Sequence, residues 1–282
     1  MTTIVRRRKL GMSSVKGICN ASTTGIKWCR NDLGIPNDET YIRWGCTANL
    51  PNKGKVFNTA NAIHQVNDKA GFRRTLNDAE LCPSTWFDYT AVPQFEVLFG
   101  VVIRKNRHAQ GRGMWFTQSR EELARLCNKI GQGNYYINTF VPKVAEYRVF
   151  VVQGRAVCVA QKTPGNPEDL AWNVAKGGRF DNVRWDDWPL KAVRVSIEAF
   201  NLSELDFGGV DVMVDGEGNA YILEINSAPS LTSPYRQQCM AKALDYMLTV
   251  SPERIPLVDE KGGYRKFIHP AITGKALIKE VA

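Results

Sequence analysis

Phe207-Gly-Gly-Val-Asp211-Val-Met-Val-Asp215-Gly-Glu-Gly-Asn219-Ala-Tyr-Ile-Leu-Glu224-Ile-Asn226-Ser-Ala-Pro229 is the stretch that decides the fold. Two β-rich runs flank a turn of Gly, Asp and Asn, the pattern of a β-hairpin. With residues 216–219 as the loop, Asp215 faces Ala220 and Asp211 faces Glu224. Side chains alternate along a strand. Asp211, Glu224 and Asn226 are then expected on one face, and Val210, Val212, Val214, Tyr221, Leu223 and Ile225 on the other, against a core. Directly opposed like charges destabilise a sheet. Two acids and an amide held together instead suit a hard cation, and oxygen-only donors point to Mg²⁺. The plainer alternative is an exposed hairpin with one polar face.

The 282 residues allow one large domain or two to three lobes, and 44% hydrophobic content supplies a core. No apolar run approaches the ~20 residues of a membrane span. The start, Met-Thr-Thr-Ile-Val-Arg-Arg-Arg-Lys, lacks the apolar stretch of a secretory signal. A cytoplasmic protein without a membrane partner is expected. Seven cysteines (19, 29, 46, 82, 127, 158 and 239) form no C-x-x-C pair, and there are three histidines. Reduced thiols, not a zinc site or disulfides, are expected. The net charge is +9, and residues 1–60 hold ten Lys/Arg against three Asp/Glu. Such an excess directs this region toward something anionic: an acidic small molecule, an acidic peptide or nucleic acid.

Residues 1–50 show no clear elements. A helix is expected over 60–70 and a second near 72–80. Phe95–Ile103 reads as one or two strands broken at Gly100. Ser119-Arg-Glu-Glu122 is a capping box, and Leu123, Leu126, Cys127 and Ile130 follow at helical spacing. Strands are expected at 135–141, 146–152 and 155–162, a loop over 163–189, and helices over 190–200 and 236–248. The tail from Ser251 reads as a surface wrap. Strands and helices mix without regular alternation, which argues for α+β lobes.

The chemistry-bearing segments come in a fixed order. A cation ends a strand at Arg104-Lys105, and a loop with Gly111 and Gly113 follows. Glycine amides can approach and cradle phosphates. Then come Ile137-Asn138-Thr-Phe140-Val141-Pro142, Glu146-Tyr-Arg148, Lys162, Asn173-Val-Ala-Lys-Gly177-Gly178, and the carboxylate hairpin. Other nucleotide motifs fail: there is no G-x-x-x-x-G-K-[ST] and no G-x-G-x-x-G. Asp206-Phe-Gly208 imitates a kinase motif that has no companions here.

Over about residues 55–248 this ordered set resembles the ATP-grasp superfamily. It is most similar to the ligases that join glutamate-like amino acids through a carboxylate, and to small phage-type members. The resemblance implies an α+β ATP-grasp fold, with two lobes clamping ATP beside an N-terminal substrate lobe. The implied limits are 1–88 for the substrate lobe, 89–141 and 142–250 for the two ATP lobes, and 251–282 for the tail. It implies Asp211, Glu224 and Asn226 as ligands of two Mg²⁺ ions (Mn²⁺ being the alternative), with Glu224 bridging. Arg104 stands where the family has a phosphate-binding lysine, with Lys105 as substitute. Gly111 and Gly113 match the phosphate loop, Asn138, Phe140 and Val141 the adenine hinge, and Glu146 the ribose acid. Arg148 and Lys162 match the cations beside the transferred phosphate. Asn173 and Gly178 match the acylphosphate and acceptor segment.

Ala171 departs from the arginine of glutamate ligases, so a different acceptor is implied, with Arg179 as a substitute charge. Trp172 and Trp185 flank that segment. The implied activity is ATP-dependent carboxylate–amine ligation through an acylphosphate, on anionic small-molecule or peptide substrates. Arg6, Arg7, Arg8, Lys9, Arg43, Lys53 and Lys55 would receive them, and Arg43-Trp44-Gly45 with Asn49 reads as a turn near the site. The alternatives are a nucleic-acid-associated ligase acting on a modified base or bound protein, a phosphotransferase, and a non-catalytic nucleotide-binding scaffold.

Overall fold

In a computed structural model, residues 1–8, 11–106, 113–172, 177–250 and 267–272 are described. The N-terminal region, featureless in the sequence, holds a parallel sheet. Its strands are β1 (Thr2–Arg6), β2 (Lys27–Arg30), β3 (Thr40–Trp44) and β4 (Lys55–Phe57), in the order β2-β1-β3-β4, with α1 (Met12–Ala21) carrying the chain from β1 to β2. Four of the five residues in both β1 and β3 are buried, so neither strand shows the polar/apolar alternation that marks a half-buried strand.

Two helices follow. Thr59 caps α2 (Ala60–Asn67) and Asp68 caps α3 (Lys69–Asp78). The break therefore falls at Asp68, and Ala70 belongs to the second helix, because the Asp68 carboxylate takes the Gly71 amide.

A central antiparallel sheet is ordered β5-β8-β6-β7, built from β5 (Thr85–Trp86), β6 (Val101–Lys105), β7 (Met114–Thr117) and β8 (Tyr135–Thr139). The expectation of strand over 95–99 is corrected here. Residues Gln94–Phe99 form a short helix, α4, that starts after Pro93 and stops at Gly100, whose φ is +117°. Only Val97 of this helix is buried, so its apolar residues do not report a two-sided strand. Helix α5 (Arg120–Ile130) begins with the Ser119 hydroxyl accepting the Glu122 amide; Glu122 itself turns to Arg125, which leaves the box half formed.

The largest sheet is antiparallel, in the order β11-β10-β9-β12-β13. It contains β9 (Lys143–Val152), β10 (Arg155–Thr163), β11 (Arg179–Val183), β12 (Phe207–Asp215) and β13 (Ala220–Asn226). Strand β11 lies within the segment read as loop, pairing Thr163 with Arg179. Helices α6 (Leu190–Asn201) and α7 (Pro234–Thr249) pack on this sheet and share one apolar core with it and the N-terminal sheet. The tail returns once: Ile268 bridges Ala156 and His269 donates to its carbonyl.

The hairpin forms as read, with one change of register. Asp211 pairs with Glu224, but Val212 pairs with Ile222, so Leu223 is an extra, bulged residue. The bulge reverses the faces beyond it. Ile222 enters the core, while Leu223 joins Met213 in lining a cleft, and Val214, not Asp215, faces Ala220.

Candidate active site

The central and largest sheets enclose a cleft of about 990 Å³. Its floor follows from strand register. Arg148 on β9 pairs with Asp211 on β12, which pairs with Glu224 on β13, so the three stand in one row across three strands. Lys162 on β10 and Glu146 on β9 lie beside that row on the same face. Gly209 permits the arrangement: a Cβ there would lie 2.8 Å from Pro229 and 3.4 Å from the Arg148 side chain.

Asp211 accepts a two-pronged contact from Arg148, Nε to Oδ1 at 2.6 Å and Nη2 to Oδ2 at 2.8 Å, and Lys162 Nζ adds a third at 3.1 Å. Burial alone would raise the Asp211 pKa; the Arg148 and Lys162 charges hold it well below the ordinary carboxylate range. Glu146 is clamped between Lys143, at 2.7 Å, and Lys162. Glu224 receives Lys69 Nζ at 2.9 Å from α3, and Asn226 Nδ2 at 3.2 Å. Burial opposes ionisation of Glu224 too, and the charge and hydrogen bond of Lys69 together with the charge of Arg148 lower its pKa. Phe180 offers its ring to Arg148 at 4.8 Å and to Lys162 at 5.7 Å. The acids Glu146, Asp211 and Glu224 thus face Lys69, Lys143, Arg148 and Lys162, with Arg104 also lining the cleft. This positive excess on a partly buried floor suits a polyanion.

Arg104 faces the cleft, where burial lowers its pKa. Lys105, one residue on, is exposed and lies over Trp115 on the opposite side of the strand. Gly113 opens β7 at φ +74°. Asn138, Phe140 and Val141 line the far end. The Asn138 amide is committed to Thr85, and the Phe140 N–H to the Gly100 carbonyl at 2.9 Å. Gly178 and Arg179 lie on the rim, where Arg179 is largely exposed and paired with Asp181. Trp172 lines the cleft with Lys143 over its ring. Asn226 sits behind Glu224, outside the lining. Gly111 and Asn173 lie outside the described residues. Asp206, of the kinase-like triplet, is used to hold Asn58.

Sequence reading missed Lys69, Arg73, Lys143 and Phe180. Lys143 lies three residues before Glu146 and was the one findable by proximity. Lys69 and Arg73 come from a helix some 150 positions away from the hairpin, and nothing local marks them. Arg73 donates to the carbonyls of Ile222, at 2.9 Å, and of the bulged Leu223.

The donor chemistry fits a hard divalent cation: Asp211 and Glu224 are opposed acids at the floor, and Asn226, next to Glu224, adds an amide oxygen.

Three solved structures are similar at low identity, so they speak to the fold alone. The ATP-grasp ligase PsnB complexed with minimal precursor, Mg and ADP shares 12% identity, covering 86% of this chain and 96% of that one, with a TM-score of 0.61. The macrocyclase MdnC from Microcystis aeruginosa, bound with the precursor peptide MdnA, shares 16% over 86% and 99%, at 0.60. The D-cycloserine synthetase DcsG shares 13% over 88% and 100%, at 0.62. No curated protein matches the sequence. The RimK-like ATP-grasp domain matches residues 85–245, more than half of the chain, and the cleft lining lies within that span apart from Lys69, Arg73 and Pro83. The protein therefore belongs to the RimK-like ATP-grasp family, whose members are ATP-dependent ligases that form carbon–nitrogen bonds.

Proposed function

We propose that the cleft binds Mg-ATP and joins a substrate carboxylate to an amine through an acylphosphate. The observation that carries this reading is the Arg148–Asp211–Glu224 row, flanked by Lys162 and an excess of cations. A nucleotide base would lie against Val141 and Phe140, with the phosphates running from Arg104 toward Arg148 and Lys162. Asp211, Glu224 and Asn226 are the residues that would hold magnesium, which would neutralise charge on the phosphate oxygens.

The substrate carboxylate attacks the γ-phosphorus, the bond to the ADP oxygen breaks, and an acylphosphate forms. The amine then attacks the carbonyl carbon, the bond from that carbon to the phosphate oxygen breaks with its electron pair going to the departing phosphate, and the amine loses a proton. Arg148 and Lys162 offset the charge that develops on the moving phosphoryl group, and the amides at Gly177–Gly178 that on the carbonyl oxygen. A peptide or small-molecule substrate is favoured over nucleic acid, since PsnB and MdnC were each solved with a precursor peptide. The three sheets support three lobes, with the first limit moved from 88 to before β5, because Thr85 and Trp86 pair with β8 of the central sheet.

The test is ADP and phosphate release from Mg-ATP across pools of amino acids and acidic peptides, with products read by mass. A condensed product, lighter by one water than its two precursors and absent with Glu224→Gln, is expected. Phosphate retained on the acceptor would replace the ligase by a phosphotransferase.

A further inference from the structure

Lys143 is a cleft residue that the reaction steps above do not use. It reaches the cleft through an irregularity in β9. Met213 pairs with Glu146 and Val214 with Ala145, but Asp215 pairs with Lys143, so Val144 is an extra residue in the strand. Residues three apart on a regular strand point to opposite faces. The extra residue brings Lys143 onto the face of Glu146, and both line the cleft.

The Lys143 ammonium is divided between two sides. Nζ donates to Glu146 Oε2 at 2.7 Å and to the Leu170 carbonyl at 3.1 Å, and it lies 4.6 Å from the centre of the Trp172 ring. The side chain is 11% exposed, so these contacts replace most of its water. Leu170 and Trp172 belong to a loop that is closed on itself. The Asn166 side chain accepts the Glu168 amide at 3.1 Å, the Asn166 carbonyl accepts the Asp169 amide at 3.2 Å, and the Trp172 indole donates back to the Pro167 carbonyl at 3.2 Å. Residues 167–172 thereby form one wall of the cleft, and Lys143 ties that wall to β9. The next residue in the chain, Asn173, is one that the resemblance places at the acceptor.

The other end of the tie is the acid that the resemblance assigns to the ribose. Glu146 is 2% exposed, and its two oxygens are taken by Lys143 and Lys162. A sugar hydroxyl that donates to Glu146 shares its lone pairs with the Lys143 ammonium. An ammonium that loses part of this partner is left with the Leu170 carbonyl and the Trp172 face. We infer that Lys143 is a positioning residue, which sets the 167–172 wall according to whether a nucleotide sugar occupies Glu146. This rests on the nucleotide reading above and goes beyond it by coupling the nucleotide to the wall that leads into the acceptor segment.

The test is NMR on the ¹⁵N-labelled full-length chain, following the seven tryptophan indoles with and without saturating ADP and Mg²⁺. Trp172→Phe assigns the Trp172 signal, and calorimetry on the same samples establishes saturation. The Trp172 signal of the wild type should shift on saturation. Lys143→Met, which keeps the stem without the charge, should reduce that shift to less than about a tenth, whereas Lys143→Arg should retain about half or more, because a guanidinium can also bond a carboxylate and stack on a ring. The other indole signals, matching those of the wild type before ADP is added, report that Lys143→Met has folded, and the wild-type arm stands whatever that variant does. A Trp172 signal that stays still in the saturated wild type, or moves equally in Lys143→Met, would overturn the inference while the nucleotide reading holds. Absence of ADP binding by calorimetry would instead sink the ligase reading, and this coupling with it.

Discussion

The two sides of the cleft floor carry opposed acids in very different surroundings. On the β9–β10–β12 side, Asp211 has a side chain 3% exposed, and Arg148 and Lys162 together occupy both of its oxygens. On the β13 side, Glu224 has a side chain 37% exposed and is held by one lysine reaching in from α3, plus the Asn226 amide. The pair is matched in register and unequal in load. Asp211 anchors the cations of the floor, and Glu224 is the acid with freedom to turn to a ligand. Asp211→Asn should break the anchored side: buried Arg148 loses its counter-charge while Lys162 keeps only Glu146, and a cost of about 3–5 kcal/mol in unfolding free energy is expected. Urea denaturation of the full chain measures it.

Glu224→Gln sharpens the same contrast from the other side. The lysine contact it removes is partly exposed and screened, so stability should fall by less than about 1 kcal/mol. Turnover of Mg-ATP should nonetheless drop by about 10² or more, because a carboxylate placed to hold the ion becomes neutral. Equal destabilisation by the two substitutions would erase the distinction between the heavily and the lightly anchored acid.

The same asymmetry explains what could be read in the chain. The β12–β13 hairpin was legible because its signals are local: a Gly/Asn turn, alternating valines, and acids thirteen positions apart. The Leu223 bulge was not, since one extra residue changes which side chains face inward without changing the composition. The Asp211–Glu224 pairing survived because the bulge offsets a one-residue shift at the turn, where Val214 and not Asp215 faces Ala220. Strands 143–152 and 155–163 were legible for the same local reason. The N-terminal sheet was not: its strands are short, the two central ones are buried, and the helix and loops that join them separate the partners. Likewise α4 looked like strand, because aromatic and branched residues favour strands until the surroundings decide otherwise. Lys69 and Arg73 depend on a helix docking against a distant hairpin, which no spacing rule contains.

Arg73 is where the N-terminal lobe reaches the weaker side of the floor. Its guanidinium is buried and bonded to the Ile222 and Leu223 carbonyls, directly before Glu224. Arg73→Met keeps most of the apolar stem and leaves those carbonyls unanswered, a cost of about 1–3 kcal/mol. If the bulge aims Glu224, Mg-ATP affinity measured by calorimetry should weaken as well, while the Asp211 side keeps its ion pairs. A variant that loses stability without losing nucleotide affinity would make Arg73 a packing residue and detach the aim of Glu224 from α3.

The smallest effect is expected on the far side of the same sheet, away from the cleft. His269 is buried against Tyr246, accepts the Ala271 amide at Nδ1, and its Nε2 has no partner. Burial, then the charge of Arg155, pushes its pKa down to about 4. The released imidazole titrates near the ordinary value of about 6.5, so the undocked form takes up a proton first. Docking of residues 267–272 is thus unaffected above that value and weakens as the pH falls from about 6.5 toward about 4. The cost is limited to the local docking of this segment, which meets the sheet through the Ile268 bridge and the His269 amide. Hydrogen exchange at the His269 amide, which donates to the Ala156 carbonyl, should therefore quicken in that window beyond its intrinsic pH dependence. His269→Phe should remove this excess. Exchange at β12 should stay unchanged, because the Asp211 anchor on the opposite face has no proton to gain over that range.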